Sequence, residues 1–245
     1  MKRLSKFSLA AILVLTTCSL ANAASVGGDI SKKGQVSIGF ENTFSTLRCV
    51  EEIMGDSKDE GKVESIQYFI KASYGVLDWL EVNGKVGIAN MEYKDALERF
   101  GFDEVFAWCV GSKLRLYENK RYEFKVLLQA QWLAVYNLTV KDKYMVSGDT
   151  LEFDWDEWQV SVGINKRFGI FKPYVGVIYS ELELKGSRYD VGEDTTNKVT
   201  LKGRCSDGGG VFVGTDINFT DRVCANAEAR FWNRLAFTVG LSYKF

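Results

Sequence analysis

Asp154, Asp156 and Glu157 cluster within four residues, and carboxylates so close together could do general acid–base work, one protonated and one ionised. The same run far better suits the solvated rim of an outer loop, where charge keeps a surface hydrated. Histidine is absent from all 245 residues. That removes Ser–His–Asp and Cys–His nucleophile systems and leaves zinc only thiolate and carboxylate ligands. Beyond Cys18, the cysteines Cys49, Cys109, Cys205 and Cys224 show no C-x-x-C spacing, so they form neither a zinc ribbon nor a redox pair. Gly208-Gly209-Gly210 leads into a strand pattern and not into a helix, so it is no phosphate loop. Asn137-Leu138-Thr139 and Asn218-Phe219-Thr220 match a glycosylation sequon but fall on strand patterns and are set aside. The chain is expected to be no enzyme and to use no cofactor or metal.

The elements that would carry any site are strands. At the carboxyl end Leu235, Phe237, Val239, Leu241, Tyr243 and Phe245 alternate with Ala236, Thr238, Gly240, Ser242 and Lys244, a period of two with one apolar face. Similar alternation runs through Gln35–Phe44, Ile66–Val76, Leu80–Met91, Val105–Leu116, Tyr122–Tyr136, Asp156–Asn165, Phe171–Glu183, Gly210–Phe219 and Val223–Phe231. Phase slips near Asp156-Glu157 and Glu181-Leu182 predict bulges or strand ends.

A soluble sandwich would alternate too, but the connections discriminate. Ser45–Ser65, Glu92–Glu104, Lys141–Trp155 and Leu184–Gly209 are long, whereas Leu77–Trp79, Tyr117–Arg121, Lys166–Ile170 and Thr220–Arg222 are short. Short periplasmic turns and long outer loops belong to transmembrane barrels. Only the last outer connection, about Trp232 to Arg234, breaks the rhythm. Aromatics gather at the short turns (Tyr74, Trp79, Tyr117, Tyr122, Phe171, Tyr174, Phe219, Tyr243 and Phe245), as a headgroup-level girdle requires. The expectation is all-β: a closed antiparallel up-and-down transmembrane barrel of about ten strands.

The amino terminus agrees with export. Lys2, Arg3 and Lys6 precede an apolar run from Leu9 to Leu15, and Ala21-Asn22-Ala23 forms a cleavage site. Residues 1–23 are expected to be a cleaved signal peptide and residues 24–245 the barrel domain. Leu15-Thr16-Thr17-Cys18 fits a lipoprotein box poorly. No later stretch reaches 18 consecutive apolar residues, so any membrane must be crossed by strands.

The overall pattern resembles the small bacterial outer-membrane β-barrel superfamily that includes the OmpA transmembrane domain and opacity-type porins. Gly75-Val76-Leu77-Asp78-Trp79-Leu80-Glu81-Val82, Asn218-Phe219-Thr220-Asp221-Arg222, Ala225 to Phe231, and Thr238 to Phe245 carry the likeness. It implies an outer-membrane location, contact with outer-membrane lipid and lipopolysaccharide, and reading of Tyr243 and Phe245 by the barrel-assembly machinery. No nucleic-acid partner is expected and no extracellular ligand is named. Two departures stand out: about ten strands instead of eight, and no peptidoglycan-binding domain after the barrel. The missing histidines also exclude the His-containing dyads of the ten-stranded omptin proteases.

Strand parity then assigns a lumen. Facing inward are Glu41, Lys71, Glu81, Lys85, Lys113, Arg115, Glu123, Lys125, Asp216, Glu228, Arg230 and Lys244, seven cations against five anions. Arg115 and Glu123 flank one turn and are placed to face each other. Two readings compete: a narrow water-filled pathway, or a salt-bridged plug, the physically safer one because small barrels are filled by side chains. The outer loops are acidic, with Glu51, Glu52, Asp56, Asp59, Glu60 and Glu64 against Arg48, Lys58 and Lys62 in the first. They open an alternative function, surface adhesion or recognition on an inert barrel. Cys49 and Cys205 fall in the first and fourth outer loops, so a Cys49–Cys205 disulfide is predicted, with Cys109 and Cys224 free on inward strand positions. The competing reading leaves all four reduced.

Overall fold

Residues 28–50, 60–94, 99–101, 104–139, 150–191, 196–232 and 234–245 are described by a computed structural model. The expected signal peptide lies outside them, as do Glu51, Glu52, Asp56 and Asp59 of the first loop. The side chains of Cys49 and Cys205 also lie outside the described set.

Period-two alternation becomes strand throughout. The order is β1 (Val36–Val50), β2 (Glu60–Leu77), β3 (Leu80–Lys94), β4 (Arg99–Gly101), β5 (Val105–Asn119), β6 (Phe124–Thr139), β7 (Thr150–Lys166), β8 (Phe171–Val191), β9 (Thr196–Asn218), β10 (Val223–Phe231) and β11 (Arg234–Lys244). Ten of these form the wall, each antiparallel to its neighbours. The short β4 only pairs with Glu92 to Lys94 of β3. Closure is made by β1, which runs beside β2 from Val36↔Tyr74 and beside β11 from Ser37↔Lys244 to Leu47↔Arg234. No edge is left in the wall.

The wall is inside out relative to a soluble domain. Ile70, Phe106, Val86, Val175 and Val177 all exceed half exposure on the outside, while Glu81, Lys85, Lys113, Glu228 and Arg230 are buried inside. A continuous exposed apolar surface is stable only against lipid, which is the condition a transmembrane barrel meets. The girdle aromatics Tyr74, Trp79, Tyr117, Tyr122, Phe171, Phe219 and Phe245 are exposed at the end bearing the short turns, here the turn end.

Several sequence expectations shift. Strands of 18 residues in β2 and 23 in β9 are longer than the roughly 9–11 needed to cross a membrane. Much of what reads as outer loop is therefore paired strand, including Glu60–Ser65 of β2, Thr150–Trp155 of β7 and Thr196–Gly209 of β9. The bulge expected near Asp156-Glu157 lies instead on the facing strand, between Val135 and Leu138 of β6, where Asn137 takes φ 61°. The one near Glu181-Leu182 is present between Ser180 and Leu182. Tyr122 belongs to a turn and not to β6. Tyr174 is no girdle residue: it stands three positions from the exposed Phe171, hence on the opposite face, and is buried in the lumen.

Candidate functional site: the charged lumen

Alternation on ten strands delivers the inward residues to one enclosed space. Near the turn end and middle, Lys85 on β3 places its Nζ 2.5 Å from Glu41 on β1, and Lys71 on β2 lies 3.7 Å from the same carboxylate. On the opposite wall the contacts form a continuous chain. Arg234 donates to Glu157 at 2.6 Å, and Glu157 accepts a short bond from Gln159. Gln159 accepts from Arg230 at 3.0 Å and from Gln131 at 2.7 Å. Arg230 also donates to Glu228 at 3.0 Å, and Glu228 accepts from the Tyr174 hydroxyl at 3.1 Å. Asn226 donates to both Tyr174 and Asp216, at 2.8 and 2.7 Å.

At the turn end the chain meets a segment that parity could not foresee. Residues 28–35 precede β1 and turn into the mouth of the barrel. The Asp29 amide donates to Asp216 Oδ2 at 2.8 Å, and the Ser31 amide to Glu81 Oε2 at 2.6 Å. The Asp29 carboxylate takes one ammonium on each oxygen, Lys125 and Lys172, both at 2.7 Å. Burial alone would raise the Asp29 pKa; the two ammonium groups more than offset that and hold it well below the usual carboxylate range. Two glycines let the segment lie this close. Gly28 has φ 90°, and a Cβ there would sit 3.0 Å from Asp216 Oδ1. A Cβ on Gly75 would sit 1.9 Å from the Lys32 carbonyl oxygen, and Gly34 donates to the Gly75 carbonyl at 2.7 Å.

Toward the other end apolar side chains join the filling: Val63, Phe69, Leu133, Val135, Trp155 and Leu182 are buried on inward positions beside the polar Ser65, Gln67, Glu157 and Arg234. Beside the segment lies a cavity of about 80 Å³ bounded by Gly28, Asp29, Lys71, Lys113, Asp216 and Cys224. Among the described residues, no group of His, Cys, Asp and Glu could hold a metal ion.

Of the twelve inward charges expected, Glu41, Glu81, Lys85, Lys113, Asp216, Glu228 and Arg230 are buried in the lumen. Lys71, Arg115, Lys125 and Lys244 are partly buried. Glu123 is a correction: it is an exposed turn residue with φ 52°, since β6 begins only at Phe124. It does not meet Arg115, which pairs with Glu118 at 2.9 Å, because a register shift between Arg115 and Tyr117 re-aims the strand end. Parity could have found Lys172, Tyr174 and Glu157, which share faces with inward neighbours. Asp29 carries no sequence signal. Cys109 and Cys224 are buried free thiols.

No family model matches the chain. It is 22% identical over 226 residues to the major outer membrane porin, serovar C, of Chlamydia trachomatis, a match covering 64% of this chain and 56% of the porin. The chain thus spans about half the length of this curated relative. Among solved structures it is similar to the outer membrane protein OprG of Pseudomonas aeruginosa, with TM-score 0.49, 14% identity, and 89% and 99% of the two chains covered. It is also similar to the outer membrane protease OmpT of Escherichia coli, with TM-score 0.48, 8% identity, and 91% and 100% covered. The chain itself folds as a closed ten-stranded antiparallel β-barrel, apolar outside and ionic inside.

Proposed function

We propose that this is a porin-like outer-membrane barrel whose charged lumen is plugged at rest, and that it performs no enzymatic chemistry. The observation that carries the reading is the unbroken polar chain from Arg234 to Asp29 across the lumen, beside a cavity of about 80 Å³. The carboxylates that could have done hydrolysis are engaged structurally. Asp154 accepts from the Asn137 amide at 3.0 Å, Asp156 lies 3.6 Å from Lys185, and Glu157 holds Arg234. Outer-membrane lipid and lipopolysaccharide would meet the apolar wall and the acidic rim, and the assembly machinery would read Tyr243 and Phe245.

Planar-bilayer recording of the refolded barrel tests this. Silence, or brief openings far below those of large porins, is expected; a stable, wide conductance sinks the plugged lumen. A second reading, surface recognition on an inert scaffold, is favoured by the strands that continue past the apolar belt, such as β8 and β9 paired as far as Val191↔Thr196. Binding to cells or matrix by a silent barrel would favour it.

A further inference from the structure

We infer that residues 28–35 are an internal strap that closes the turn end of the lumen and is latched there by Asp29. The contacts are those of a fitted occupant. The Asp29 carboxylate uses each oxygen on a different wall, Lys125 from β6 and Lys172 from β8. Its backbone amide goes to a third, Asp216 on β9, and the Ser31 amide to a fourth, Glu81 on β3. Four strands are therefore tied to one short segment across the mouth. Gly28, Ile30 and Ser31 are buried although they belong to no strand.

The latch is reversible in kind. Apart from the burial of the single apolar side chain Ile30, its contacts are hydrogen bonds and ion pairs to groups that water can also satisfy, so withdrawal of the strap costs less than unpairing a wall strand. The segment joins β1 at its turn-end terminus through Gly34 and Gln35, so it can swing out while β1 stays paired to β2 and β11. Withdrawal would uncover Lys125, Lys172, Asp216 and the cavity behind them, giving the lumen regulated access from the turn end. This rests on the reading of the lumen as plugged at rest.

Cys224 is a built-in reporter. It is buried, carries a free thiol, and lines the same cavity as Gly28 and Asp29. Barrels in lipid vesicles are treated with a water-soluble methanethiosulfonate, and modification of Cys224 is followed by peptide mass. Wild-type Cys224 should react slowly, and Asp29→Ala should react at least about tenfold faster, as loss of a charge-assisted pair predicts. Deletion of residues 28–31 should do the same. The strap is overturned if wild-type Cys224 already reacts like a thiol in urea. It is equally overturned if both variants, still heat-modifiable, stay within about twofold of wild type. Should the variants fail to assemble, amide exchange in the wild type decides: protected Asp29 and Ser31 amides support the strap, and free-peptide rates end it. Because the readout is thiol chemistry, a barrel that conducts widely with Cys224 still protected would refute the plugged lumen and not the strap.

Discussion

Lys85 and Glu41 stand on strands that are not neighbours, yet the Lys85 ammonium reaches past β2 to lie 2.5 Å from the Glu41 carboxylate, with both side chains almost fully buried. Such a pair adds little over a well-packed apolar one, but breaking it leaves the buried Glu41 carboxylate with weaker compensation, Lys71 standing at 3.7 Å. Lys85→Met should therefore destabilise the barrel, by less than the roughly 3–5 kcal/mol of a wholly unpaired buried charge, read as urea unfolding in lipid vesicles. Glu41→Leu combined with Lys85→Met should recover part of that loss. A single substitution without effect would show the lumen to be wetter than these contacts imply.

The outer wall predicts the opposite sensitivity. Ile70 is 61% exposed and lies between Phe40 of β1 and Val86 of β3 in the belt. Ile70→Arg should cost about 2–4 kcal/mol in vesicles, although the same change on an exposed site in water would be nearly neutral. Indifference to the substitution would contradict lipid contact at this depth.

How much of this was legible in the sequence follows the same two-sided logic. Alternation betrays a strand only where its faces meet different media, so the belt portions of β1, β2 and β6 could be read directly. Glu60–Ser65 and Thr196–Gly209 pair beyond the belt with water on the outside, and there the pattern vanishes while the hydrogen bonds continue. Glu123 shows a second limit. Parity counts residues, and the shift between Arg115 and Tyr117 together with the left-handed Glu123 breaks the count at that turn. Asp29 shows a third, because its place is set by four strands far away in sequence and by no local signal.

The strap has a definite pH dependence. Lys125 from β6, Lys172 from β8 and Asp216 from β9 face Asp29, and the two ammonium groups depress its pKa below the ordinary 3.8. A depressed carboxylate contributes stability above its unfolded pKa, and that contribution is lost as pH falls through the folded value. The Asp29 latch should therefore hold unchanged from neutral pH down to the ordinary carboxylate range and weaken only below it. Amide exchange at Asp29, corrected for intrinsic rates, measures this; release near pH 6 would assign the latch to another group.

Phe245 closes the barrel as well as ending the chain. Its amide donates to the Val36 carbonyl at 2.9 Å across the β1–β11 seam, and its ring meets Tyr243 edge-on at 4.9 Å. The ring itself is 69% exposed, so Phe245→Ala removes little packing. A large fall in heat-modifiable barrel in cells, with unfolding in vesicles shifted by no more than about 1 kcal/mol, is the expected outcome. Equal losses in both assays would make Phe245 a stability residue and overturn the proposal that the assembly machinery reads it.

The cysteine pairing can be argued from register alone. The β10–β11 hairpin is short: Arg234 pairs with Leu47 of β1, and Phe231 with Val211 of β9. Cys49 lies two residues beyond Leu47 on β1, where no β11 partner remains, and Cys205 lies six beyond Val211 on β9, above the end of β10. β1 and β9 also come close to one another in the wall, and the low hairpin leaves the two cysteine-bearing strands on one side of the outer rim. Cys109 and Cys224 sit instead on β5 and β10, and both are free. We predict a Cys49–Cys205 bridge that ties the two tall strands over the gap and adds about 2–4 kcal/mol against unfolding. The offset of the two positions along their strands is the obstacle, since the Cα atoms must come within about 7 Å. Non-reducing peptide mapping after alkylation in the intact cell settles it: a Cys49–Cys205 linked peptide is the expected product, and an alkylated Cys49 rules the bridge out.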